Sequence, residues 1–61
     1  MQREPLMTAQ EVADLVRVHI QTFHRWRRAG LGPRETSIAG KPRYRERDIE
    51  AWLDERALAA E

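Results

Sequence analysis

The chain contains no cysteine among its 61 residues. It therefore forms no disulfide and offers no thiolate ligand to a structural zinc ion. This usage suits a reducing cytosol. A chain this short buries only about 60% of its unfolded surface, so we expect one small domain without a deep enzyme cleft.

Long hydrophobic runs are also missing. No stretch approaches the roughly 20 apolar residues that span a bilayer, and residues 1–5 lack the apolar region of a signal peptide. We therefore expect no membrane partner, and a cytoplasmic location.

Residue sets for catalysis are absent as well. There is no Ser/His/Asp set and no glycine-rich phosphate loop, and the carboxylates fall on predicted exposed helix faces. His19 and His24 are five residues apart rather than the four that place two ligands on one helix face. We expect no enzymatic activity, no metal site and no cofactor.

Acidic residues are scarce in the middle of the chain. Residues 17–47 hold nine basic and two acidic side chains, a net charge of +7, whereas the rest of the chain has a net charge of −6. The simplest alternative is a solvated surface, but so few acids among so many arginines favour a nucleic-acid partner.

The first predicted helix begins at Thr8. Thr8 and Glu11 have the spacing of a capping box, and Val12, Leu15 and Val16 follow at the spacing of one apolar helix face. Such a short helix is marginal alone, so it must pack against another element.

A second helix is predicted over residues 19–28. Thr22, Phe23 and Trp26 share one face, and the opposite face carries Gln21, His24, Arg25 and Arg28. The few residues between the two helices suit a helix-turn-helix. Glycine often occupies such a turn, whereas this chain has Arg17, which carries a modest steric cost if the turn requires a left-handed residue.

The ends of this second helix differ in quality. His19 is a poor capping residue, so the start of the helix is predicted to be weakly capped. Gly30 suits its end, and Pro33 prevents continuation.

The last third predicts a β-hairpin followed by a helix. A three-residue loop at residues 39–41 gathers Thr36, Ile38, Pro42 and Tyr44 on one face, and Pro42 favours an edge-like strand. The C-terminal helix repeats the apolar spacing with Ile49, Trp52 and Leu53. We expect a mainly α fold with a small β-hairpin, in which residues 1–5 are a flexible tail, 6–56 the domain and 57–61 a helix extension or frayed tail.

These motifs in this order resemble the small winged-helix proteins related to the MerR DNA-binding domain, and most of all the excisionase and AlpA-type proteins of phages and mobile elements. The resemblance covers 6–56 and is carried by residues 8–13, Val18, 22–26, 30–31, 43–45 and 48–53. Arg17 replaces a usual glycine, and His19 replaces a usual serine.

The resemblance implies a winged helix-turn-helix that binds double-stranded DNA, with the second helix in the major groove and a basic wing against the minor groove or backbone. It implies an excisionase that bends DNA, associates cooperatively with itself on DNA and assists a phage-type integrase, a tyrosine or serine recombinase, at the bacterial nucleoid. The predicted DNA contacts are His19, Gln21, Thr22, His24, Arg25 and Arg28 in the helix, and Lys41, Arg43 and Arg45 in the wing.

Two other functions stay open from the sequence. A small AlpA-like transcription regulator would use the same domain. A protein-interaction adaptor would use the basic face to bind an acidic partner instead of DNA.

Overall fold

The computed structural model of the chain describes residues 6–59. Its elements in chain order are β1 (Leu6–Met7), α1 (Ala9–Leu15), α2 (Ile20–Arg28), β2 (Thr36–Ile38), β3 (Lys41–Arg45) and α3 (Glu46–Ala59). Three helices with a small antiparallel sheet confirm the predicted class, a mainly α winged helix-turn-helix. The predicted tail over residues 1–5 and the last two residues, 60–61, lie outside the described residues.

Helix α1 begins with the predicted capping box. The Glu11 N–H donates to Thr8 Oγ1 at 3.1 Å, and the Thr8 N–H donates to Glu11 Oε1 at 2.8 Å. The buried face, however, is Ala9, Val12 and Ala13. Leu15 is 55% exposed, so its predicted place in the core is wrong. The small alanines at the spacing of one helix face allow close packing, and Leu15 falls at the edge of that face.

The turn between α1 and α2 is a Schellman motif. The Arg17 N–H donates to the Asp14 carbonyl at 3.1 Å, and the Val18 N–H donates to the Ala13 carbonyl at 3.0 Å. Arg17 has φ 61°, so the turn does place this residue in the left-handed conformation. Val18 packs against the core from this turn.

Helix α2 ends in the same motif. The Gly30 N–H donates to the Arg27 carbonyl at 3.2 Å, and the Leu31 N–H donates to the Trp26 carbonyl at 2.8 Å. Gly30 has φ 75°, which confirms the predicted cap. The two helices therefore end alike, but only the second has a glycine at the left-handed position.

The sheet has three strands in the order β1-β3-β2. Leu6 lies opposite Arg45, and Met7 lies opposite Tyr44. The prediction placed Leu6 and Met7 in the approach to α1 and missed this strand, because two residues are too few to show a strand alternation. Strand β1 thereby attaches the start of the domain to the wing.

The hairpin has a two-residue loop, so the predicted three-residue loop and its register are wrong. Ile38 pairs with Lys41, and the loop residues Ala39 and Gly40 have φ 52° and 77°. Two consecutive positive φ angles are the requirement of a type I′ turn, whose twist matches that of the strands. Turn geometry therefore overrides the grouping of apolar side chains, and Ile38 is left 46% exposed, on the face opposite Tyr44.

Pro42 lies opposite Ser37 of β2. Strand β1 pairs with β3 only at Tyr44 and Arg45, so within the described residues β2 is the only strand beside β3 at Pro42. At Pro42 the side of β3 that faces away from β2 therefore has no ladder for the missing N–H of proline to disrupt, which agrees with the predicted edge-like pairing.

The core is centred on Phe23. Its ring lies edge-on to Tyr44 at 5.5 Å and to Trp52 at 6.3 Å between centroids, a geometry that aromatic pairs favour. Trp52 Nε1 donates to the Leu31 carbonyl at 2.7 Å. The buried apolar residues are Ala9, Val12, Ala13, Phe23, Tyr44, Ile49 and Trp52.

Helix α3 buries two of its three predicted core residues. Ile49 and Trp52 are in the core, but Leu53 is 39% exposed, so that part of the predicted stripe is wrong. Trp26 is half-buried against Trp52 at 6.0 Å, and the Arg56 guanidinium lies over its ring at 5.3 Å.

The substitution Arg17→Gly is expected to stabilise the isolated domain. A left-handed residue with a Cβ carries a steric cost that glycine lacks, and we expect a gain of about 0.5–1 kcal/mol after the greater unfolded-state entropy of glycine is counted. Urea unfolding followed by circular dichroism measures it.

Gly30→Ala is the matched control, with the opposite sign. A Cβ at Gly30 would meet no atom within 4 Å, so backbone strain alone acts there. A lower free energy of unfolding for Arg17→Gly than for the parent chain would contradict the assignment of strain to Arg17.

Candidate nucleic-acid interface

The start of α2 is capped by a histidine side chain. His19 is in an extended conformation, and its Nδ1 accepts the Gln21 N–H at 3.1 Å. The prediction of a weak cap considered residue preference alone, whereas here a ring nitrogen replaces the usual side-chain oxygen. His19 is exposed, so the rest of its ring faces solvent.

Four predicted site residues come together on one face of α2. Gln21, His24, Arg25 and Arg28 line a single shallow, open depression, while Phe23 is completely buried on the other side of the helix. An amide, an imidazole and two guanidinium groups provide donors for base edges and phosphate oxygens. Thr22 is half-buried and lies outside the lining of this depression.

The three predicted wing residues share one face of β3. Lys41, Arg43 and Arg45 alternate with Pro42 and Tyr44 along the strand, and alternate residues point to the same side of a sheet. Because Tyr44 is buried, the three cations lie on the outer face. Lys41 is exposed, and the other two are half-buried.

Two of these wing side chains have defined surroundings. Arg43 Nη1 donates to the Pro42 carbonyl at 2.8 Å, which directs part of its guanidinium back to the strand. Ile38 shares the outer face through its pairing with Lys41. The wing therefore presents a basic surface that includes one apolar side chain.

An ion pair that the sequence reasoning missed joins α2 to the loop before β2. Arg27 Nε donates to Glu35 Oε1 at 2.6 Å, and Arg27 Nη2 donates to Glu35 Oε2 at 3.0 Å. The Tyr44 hydroxyl makes a longer contact of 3.4 Å to the same Oε1. Arg27 lies outside the predicted polar face of α2, which consists of Gln21, His24, Arg25 and Arg28. Residues 17–47 contain only two acids, so the sequence offered few nearby candidates for the partner of Arg27.

The ion pair shifts the titration of its members. The hydrogen bond from Arg27 lowers the pKa of Glu35, with the Arg27 charge acting in the same sense and desolvation opposing it. The hydrogen bond to Glu35 raises the pKa of Arg27. Burial, followed by the Glu35 charge, raises the pKa of Tyr44. Both members of the pair therefore stay charged near neutral pH.

Two further kinds of site are absent from the described residues, 6–59. None of the helices there is long and apolar enough to cross a membrane. No cluster of three or more His, Asp or Glu side chains suited to a metal ion occurs in that part of the chain.

Two short helices joined by a tight turn, a β-hairpin wing and an exposed polar face on the second helix define a winged helix-turn-helix domain. The family model described as a helix-turn-helix domain matches residues 6–57, and the chain belongs to that family. Comparison with curated proteins gives no match. Family membership supports sequence-specific DNA binding and makes DNA a partner of this domain.

The substitution Glu35→Gln is expected to lower the free energy of unfolding at pH 7 by about 0.5–1 kcal/mol, a small value because the paired side chains are both partly solvated. Since the folded pKa of Glu35 is lowered, its contribution is present above its ordinary value of 4.5 and is lost as the pH falls through the folded pKa. Urea midpoints between pH 7 and pH 3 measure this. The difference between the two proteins should shrink on acidification, and a difference that grows instead would contradict the role of the ion pair.

Proposed function

We propose that α2 is the recognition helix and that its exposed face reads base edges in the major groove. The observation that carries this proposal is the gathering of Gln21, His24, Arg25 and Arg28 in one depression opposite the buried Phe23. An arginine fork matches guanine O6 and N7, and a glutamine matches adenine N6 and N7. His19 and Thr22, near the start of the helix, contact the phosphate backbone.

The wing supplies a second DNA contact in this proposal. Lys41, Arg43 and Arg45 on the outer face of β3 contact phosphates or the adjacent minor groove. Phosphate contacts fix the position and orientation of the protein, and the α2 face supplies the sequence preference.

Within the helix-turn-helix family, the chain is proposed to be a MerR-related excisionase, a recombination directionality factor. The support is the ordered set of motifs over residues 6–56 and a family that includes AlpA- and excisionase-like proteins. Several copies bind neighbouring sites, bend the DNA and assist an integrase in excision, in the cytoplasm of a bacterial host. An AlpA-like transcription regulator is the alternative that the same family membership supports.

Arg25→Ala and Arg28→Ala are expected to weaken specific DNA binding. Loss of a bidentate base contact costs about 1–3 kcal/mol and relaxes the preference at one base pair, whereas loss of a phosphate contact lowers the salt slope by about one. Duplexes selected from a randomised pool, titrated by fluorescence anisotropy at several salt concentrations, measure both quantities.

Arg34→Ala is the matched control, because Arg34 is exposed in the loop after α2 and lies in neither proposed contact surface. It removes the same charge and should change affinity less. If neither α2 variant changes affinity or salt slope while both remain folded, α2 does not read DNA, and the protein-interaction adaptor takes its place.

DNA that contains the natural sites is expected to bend when the protein binds. Circularly permuted fragments of an attachment-site region should migrate differently according to the position of the site, in stepwise complexes. Addition of the chain to integrase and attachment-site DNA should increase excision. A single unbent complex at a promoter, with no effect on excision, would leave the transcription regulator as the function.

A further inference from the structure

A second surface lies away from α2 and the wing loop. Met7, Leu15, Ile49 and Leu53 line an apolar groove of about 330 Å³, between β1, the end of α1 and the first two turns of α3. Leu15 and Leu53 are exposed there, and Ile49 is buried beneath them. A groove with exposed leucines and a buried isoleucine is shaped to receive further apolar side chains.

The two leucines extend the apolar stripes of their helices beyond the core of the domain. Ala13, Val12 and Ile49 complete the core without them. Leu15 keeps more than half of its surface accessible. A partner that covered both leucines would remove their apolar surface from water, which is favourable in proportion to the area buried.

The edge of the groove is acidic. Glu46 and Glu50 belong to its lining and are both exposed. They are four residues apart on α3, so they lie on one face of the helix, about 6 Å from each other. Among the described residues, the ion pair between Arg27 and Glu35 is the salt bridge present, and it involves neither of them.

The negative charge at the edge of the groove indicates which kind of molecule can bind there. DNA is excluded because the carboxylates repel phosphate. A symmetric dimer would use this same patch of both copies, so it would bring four carboxylates into one interface whose lining residues include no cation. The complementary occupant has apolar side chains for the leucines and cations for the glutamates.

We propose that this groove binds a basic amphipathic helix of a partner protein. Apolar side chains at i, i+3 and i+4 enter between Leu15 and Leu53, and Lys or Arg side chains one turn apart pair with Glu46 and Glu50. The groove residues lie outside the proposed DNA contacts, so the partner and DNA bind at the same time. The proposal does not depend on the role of α2.

The test uses the full chain and three synthetic peptides of about 18 residues, five helical turns. One has leucines on one face and lysines on the flanks, the second has glutamates in place of the lysines, and the third is a scrambled leucine and lysine sequence. Fluorescence anisotropy measures affinity, and ¹H–¹⁵N correlation spectra locate the site. The first peptide should bind, with the largest shifts at Leu15, Ile49, Glu50 and Leu53.

The double variant Glu46→Lys, Glu50→Lys should bind the lysine peptide at least tenfold more weakly than the parent chain does. It should also acquire affinity for the glutamate peptide. Leu53→Ser should weaken the binding of both peptides and, because Leu53 is already 39% exposed, lower the urea midpoint only modestly. Arg34→Ala serves as the control, because Arg34 is exposed and lies outside both the groove and the proposed DNA contacts, and it should leave peptide affinity unchanged.

Three results would overturn the proposal. Equal binding of the three peptides, or shifts confined to other surfaces, would remove the groove as a site for a basic helix. Concentration-dependent shifts at Leu15 and Leu53 without peptide would make a second copy the occupant. A large loss of stability in Leu53→Ser would show that the chain itself covers the groove.

Discussion

The edge-to-face packing of Phe23 against Tyr44 and Trp52 is the interaction on which the rest of the structure depends. These three rings belong to α2, β3 and α3, so a single aromatic cluster joins the second helix, the wing and the C-terminal helix. A domain this small has few other core residues to share the task. Because Phe23 fixes which side of α2 is buried, it also fixes which side carries Arg25 and Arg28 outward.

An ion pair provides a second connection, which joins α2 to the loop before β2 and to β3. The Arg27 guanidinium holds Glu35 in the loop that leads to β2, and the Tyr44 hydroxyl touches the same carboxylate. Glu35, one of the two acids in residues 17–47, thus pairs with Arg27 on the flank of α2. Within residues 6–59, no salt bridge joins Arg25 or Arg28 on the outward face to an acid, so both charges contribute to the positive potential there.

Much of the fold follows from short-range chemistry and could be predicted. The Thr8 capping box and the Gly30 cap each depend on residues within about one turn of each other, and the polar face of α2 depends on the residues of that one helix. The errors have long-range causes. Strand β1 exists only because β3 pairs with it, and the exposure of Leu15 and Leu53 depends on which helix faces meet. The hairpin register was set by Ala39, a residue whose positive φ no propensity suggested.

The His19 cap determines how that side chain can meet a ligand. A ring nitrogen that accepts an N–H carries no proton, so the neutral imidazole of His19 must hold its proton on Nε2. The backbone of α2 thereby selects one tautomer, and the exposed edge of the ring becomes a donor with no accepting capacity. Through its neutral side chain, His19 can thus offer a hydrogen bond to an oxygen anion but cannot receive one from a base amino group.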